Sequence, residues 1–185
     1  MTILVFNLHI PLGIEQFSLA TFLKTDILHK LFIYIGSFII LGTLWVSTNF
    51  QYGFLQRVNR IYLWFNICYL MMVCIIPFSA NLMIAYPHSP ISVSFYAVNL
   101  LLATLGYCLN WECAYRYQLN TSNYSPAIRR LVLMRILIAP LFYFSALIIA
   151  YWDREIAFIV LVAPICVQMI PGRVDRYVKN NDEQD

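Results

Sequence analysis

The chain has 185 residues, of which 61% are hydrophobic and only 11% charged, whereas soluble domains are about half apolar and about a quarter charged. That balance excludes a soluble globular domain with water as its main solvent. The net charge of +3 comes without the lysine or arginine runs that nucleic-acid binding calls for.

A helix that crosses a bilayer needs roughly 20 apolar residues to span about 30 Å of hydrocarbon. In chain order, the first apolar stretch is 1–10. It stops at Pro11 and as a helix would be only ~15 Å long. It has neither a basic start nor a small-residue cleavage site, so a signal peptide is a poor reading. A surface helix, a re-entrant piece and the second half of a span all stay open. Residues 13–30 carry Phe17, Leu19, Ala20, Phe22, Leu23, Ile27 and Leu28 at roughly helical spacing, which suits a helix lying on the membrane surface. Four full-length apolar runs follow, at 31–50, 61–84, 91–115 and 131–152. A fifth, 156–170, contains Pro164 and reaches only ~22 Å. It must draw on Pro171 and Gly172, thin the bilayer or lie partly buried. No internal repeat is visible, so residues 1–172 read as one transmembrane domain and 173–185 as a short polar tail, expected to be disordered.

Arg57 and Arg60, then Arg116, Arg129, Arg130 and Arg135, then Arg173, Arg176 and Lys179 occupy alternate connections. Lys24, Lys30 and Arg154 fall on the opposite set, so nine of the twelve basic residues share one side. The positive-inside rule makes that side, with the C-terminus, cytoplasmic. If 1–10 is half a span, the fold is an all-α polytopic transmembrane bundle of six helices, the first truncated and five complete.

Ionisable residues inside a span raise a functional question by default. Glu112 and Arg116 are four residues apart in the favourable order and read as a structural pair, or as a snorkelling arginine, near the inner end of their span. Arg135 is one turn past Arg130 and reaches the same interface by snorkelling. His9, beside Pro11, suits an interface position. Asn66, Asn81, Asn99 and Asn110 lie within long runs and need partners where water is scarce; bonding between helices is their expected use. Gly36, Ser37 and Gly42 form a small-residue face for close packing. Trp45, Trp64, Trp111 and Trp152 suit an aromatic belt. The five cysteines, Cys68, Cys74, Cys108, Cys113 and Cys166, show no CxxC spacing and read as small hydrophobes. The sequence contains no HExxH, Gly-x-Ser-x-Gly or P-loop, and no carboxylate cluster within the membrane, so no enzyme activity, cofactor or metal is expected. It also lacks the TVGYG filter of ordinary potassium channels.

The residues from Thr2 to about Arg116 resemble the prokaryotic members of the transmembrane protein 175 family, relatives of the endosomal and lysosomal potassium channel. Thr2-Ile3-Leu4-Val5 and His9-Ile10-Pro11 are similar to the end of that family's first helix. Ser37-Phe38, Trp45-Val46, Arg57, Arg60, Leu63-Trp64, Asn66, Pro77-Phe78 and Tyr86-Pro87 follow in the family's order. The segment after Arg116 matches only in hydropathy.

The resemblance implies a homotetrameric potassium channel in a bacterial plasma membrane, with lipid and potassium ions as its partners and no nucleic acid. Ions would pass through a hydrophobic neck lined by the first helix, with Ile3 at an aliphatic layer, Phe6 where another layer usually has leucine, and Thr2 at a hydroxyl position. Trp45, Asn66, Glu112 and Arg116 are expected to serve as structural polar groups at the inner interface. Two departures stand out. The family's Phe-Ser-Asp signature, preceded by a basic residue, does not occur, which with the half-span suggests a chain begun late, at an internal methionine. Thr48 and Asn49 stand where relatives often carry histidines. The rival readings are a non-conducting truncated membrane protein and a secondary transporter, the latter expected to show paired interrupted helices or buried carboxylates at the midplane.

Overall fold

The computed structural model describes residues 27–86, 89–120 and 126–169. They form five helices: α1 (Ile27–Gly53), α2 (Arg60–Ala85), α3 (Pro90–Arg116), α4 (Pro126–Ile149) and α5 (Arg154–Met169). The four long apolar runs become α1 to α4, each long and apolar enough to cross a membrane. α5 has 16 residues and extends about 24 Å, the short fifth run expected from the sequence. Stretches 1–26 and 170–185, with the half-span and the polar tail assigned to them, lie outside the described residues. α1 starts at Ile27, so the last four residues of the expected surface stretch 13–30 belong to the first long helix instead.

Local chemistry sets the boundaries. Asn59 caps α2 by accepting a hydrogen bond from Tyr62 N at 2.7 Å, one of the donors that every helix start leaves without an intrahelical partner. α3 opens with Pro90, whose missing N–H is harmless in a first turn. The Ser92 hydroxyl, 2.7 Å from Tyr86 O and 2.8 Å from Ser89 O, closes the turn before it. Asp153 caps α5, its Oδ1 accepting from Glu155 N at 2.9 Å and Ile156 N at 3.2 Å.

The end of α3 is a Schellman motif built without glycine. Leu119 N donates to Ala114 O at 2.9 Å and Gln118 N to Tyr115 O at 3.1 Å, the two bonds that define it. Gln118 occupies the left-handed position with φ 51°. Leu119 is buried against Ala114, Cys113 and Tyr62, the hydrophobic contact that accompanies the motif. Its carbonyl then accepts from Gln56 N at 3.0 Å and Arg57 N at 3.3 Å. The α1–α2 connection, which carries Arg57, and the start of the α3–α4 connection, which follows Arg116, are thereby joined at one end of the bundle.

Consecutive helices pack as antiparallel neighbours, and α1 and α3 also contact α5. α3 is the most buried, and Ala97, Ala103 and Ala114 on it are fully enclosed. A Cβ on its Gly106 would lie 3.5 Å from the Tyr69 backbone of α2, so the two backbones run close together here. The main core draws on all five helices, with Ile40 of α1, Ile76 of α2, Leu100 of α3, Tyr143 of α4 and Leu161 of α5. The small-residue face of α1 is used in part. A Cβ built on Gly36 would lie 3.9 Å from Val162 of α5 and Ser37 is buried, but nothing lies within 4 Å of a Cβ built on Gly42.

The outer face of α1 is apolar, unlike that of a helix on a soluble protein. Ile35, Phe38, Ile39, Trp45 and Val46 face outward on α1, whereas the inward face, Ile33, Ser37, Ile40, Leu44, Thr48 and Gln51, carries a serine, a threonine and a glutamine. Lipid takes apolar side chains on the outside, and polar ones turn inward to find partners.

Candidate functional site

Thr2, Ile3 and Phe6, the expected lining of the neck, lie outside the described residues. The other four sequence-derived site residues are all described, and three of them lie toward the end of the bundle where the two connections join. Trp45 points outward from α1 and is 65% exposed, like Trp64 at 62% and Trp152 at 82%. This is the exposure an interfacial belt needs. Trp111 is different: it is 1% exposed and sits in an aromatic cluster with Phe54 at 5.9 Å and Tyr107 at 6.5 Å. It is therefore a core residue and not part of the belt.

Glu112 does not pair with Arg116. Its two carboxylate oxygens accept from Arg129 Nη2 of α4 at 2.7 and 2.6 Å, and the Arg129 guanidinium lies 4.2 Å over the Tyr115 ring. Arg116 is exposed at the end of α3. The pair across helices wins because Arg129 meets both carboxylate oxygens while resting on an aromatic face. A local i,i+4 contact supplies only a few tenths of a kcal/mol.

Asn66 does bond between helices, as expected. Its Oδ1 accepts from Tyr52 OH of α1 at 3.0 Å and, at 3.5 Å, from Asn110 Nδ2 of α3. The same three helices are joined at further levels. Tyr107 OH donates to Ser47 O at 2.7 Å, Thr48 Oγ1 lies 2.9 Å from Tyr69 OH, and Ser37 Oγ lies 3.1 Å from Tyr96 OH. Thr48 thus faces the α1–α2 seam, while Asn49 turns outward and bonds its own helix at Trp45 O, 2.9 Å.

A second polar feature sits farther along α2, at Pro77. Proline carries no N–H, so the Val73 carbonyl loses its helical donor there. One residue earlier, the Asn99 amide of α3 spans the backbone pair next to that gap. Oriented so that unlike groups face each other, its nitrogen donates to Met72 O at 3.1 Å. Its oxygen accepts from Ile76 N at 3.0 Å and lies 3.0 Å from Ser79 Oγ. The length of an apolar run cannot reveal this brace, although an asparagine in one span and a proline in its neighbour are the two signals for it.

Cys68 and Cys74 are exposed, Cys108 is half-buried and Cys113 buried, all four as free thiols. Among the described residues no group of three His, Cys, Asp or Glu is placed to hold a metal ion.

These features define a class first: a polytopic α-helical membrane protein whose polar groups are gathered along its inner helix seams. Residues 1–77 match the family model described as Endosomal/lysosomal potassium channel TMEM175. That match takes in 77 of 185 residues, less than half of the chain. The match covers α1 and α2 as far as Pro77. No curated protein matches the chain.

Proposed function

We propose that the chain is a subunit of a potassium channel, assembling as a homotetramer and passing K+ down its gradient without a cofactor. The observation that carries this reading is the family match over residues 1–77, supported by four helices able to cross a membrane. The neck is lined by Ile3 and Phe6, with Thr2 facing it. Bulky apolar rings of this kind gate by excluding water, and they discriminate between ions less sharply than a carbonyl cage. The joined connections, with Arg57 and Arg60 at one and Arg116 and Arg129 on the helices flanking the other, lie in the cytoplasm, as does the C-terminus. The host membrane is a bacterial plasma membrane.

Planar-bilayer recordings test the neck. The Ile3→Ala/Phe6→Ala double variant should conduct more K+ per channel and prefer it less over Na+. Unitary currents and reversal potentials identical to those of the parent chain would remove both residues from the pore.

A further inference from the structure

Where α1, α2 and α3 meet beside the joined connections, the protein buries more hydrogen-bonding capacity than it satisfies. Gln51 is 1% exposed, and neither its Nε2 nor its Oε1 has a protein partner. Tyr62, 2% exposed, has no partner for its hydroxyl, and Asn110, 1% exposed, has none for its Oδ1. Register brings the three together. α1 and α3 run in the same direction, with Ser47 held by Tyr107 and Phe54 resting on Trp111. Gln51 lies between Ser47 of α1 and Phe54 just past its end, level with Asn110 between Tyr107 and Trp111 on α3. Tyr62 packs on Cys113, one turn beyond Asn110.

We propose that this junction is a buried water-binding site, in which internal water bridges Gln51 of α1, Tyr62 of α2 and Asn110 of α3. A buried polar group without a partner is costly, so three such side chains along one seam call for a shared ligand. The groups offer a donor in Gln51 Nε2, acceptors in Gln51 Oε1 and Asn110 Oδ1, and a hydroxyl that can act as either. Water satisfies such a mixture, having both kinds of group and needing two to four partners. A cation fits worse, because the Gln51 amide nitrogen would present its hydrogens to a positive charge. The inference stands apart from the channel reading, since it concerns the packing of one subunit.

Millisecond X-ray radiolysis of the full chain in lipid nanodiscs tests it, because hydroxyl radicals formed from bound water oxidise side chains touching that water even where bulk solvent does not reach. Tyr96, 1% exposed and bonded to Ser37, is the internal control. Tyr62 should be oxidised several-fold faster than Tyr96. Equal, slow rates at the two tyrosines would overturn the proposal. In the Gln51→Leu/Asn110→Leu variant, oxidation of Tyr62 should fall to the Tyr96 level, and undiminished oxidation in a folded variant would contradict the bridge. Replacing K+ by N-methylglucamine should leave the Tyr62 rate unchanged. A rate that rises on K+ withdrawal would show a cation in the water's place.

Discussion

Glu112 is paired with Arg129 by the fold, whereas spacing along the sequence offers it Arg116. With Arg129 as its partner, Glu112→Gln and Arg129→Leu should each lower stability by roughly 1 kcal/mol, the upper end for a partly exposed pair, whereas Arg116→Ala should change it by less than about 0.5 kcal/mol. Urea or SDS unfolding of the three variants separates the cases, and an Arg116→Ala loss equal to that of Arg129→Leu would restore the local pair. Gln118 permits a change in the opposite direction. A side chain held in the left-handed region costs about 1–2 kcal/mol, and glycine takes that conformation freely at some entropic cost. Gln118→Gly should therefore stabilise the fold by up to about 1 kcal/mol, read as a higher unfolding midpoint; a lower midpoint would show that the glutamine side chain holds the joined connections in another way.

At the scale of the helix, span positions were legible and span faces were not. Runs of apolar residues located α1 to α4 to within a few residues, since hydrocarbon thickness dictates their length. Which side of each helix turns inward is hidden because lipid and core are both apolar, so periodicity that marks a face in water fades here. Trp111 shows the consequence: its place near a span end suggested the interface, yet α3 is the inner helix and encloses it. The polar residues carried the missing information. Ser37, Thr48 and Gln51 mark the inward face of α1 at helical spacing, and Asn99 marks the α2 seam. Asn99→Leu should destabilise the bundle by about 1–2 kcal/mol, near the upper range for hydrogen bonds between membrane helices, and Ser79→Ala by less. A neutral Asn99→Leu in SDS unfolding would mean that α2 needs no brace beside Pro77. The caps at Asn59 and Asp153 use residue types that favour helix starts, whereas α3 ends without the usual glycine.

For the whole molecule, the class was accessible from the residues: composition points to the membrane, and the ordered matches from Thr2 onward point to the family whose model matches residues 1–77. The partner of Glu112, the bracing of α2 and the junction at Gln51 depend on how distant segments meet, and one sequence does not specify that. Sidedness has its own test. In a background freed of native cysteines, Gln56→Cys should react with a membrane-impermeant maleimide from the cytoplasmic face and Ser89→Cys from the opposite face; the reverse pattern would invert the topology. The central claim is conduction, and K+ flux from liposomes containing the purified 185-residue chain tests it most directly. The account predicts K+ efflux well above that of protein-free liposomes, dissipating the imposed gradient without an energy source; efflux no faster than from empty liposomes, with the protein inserted and folded, would contradict it.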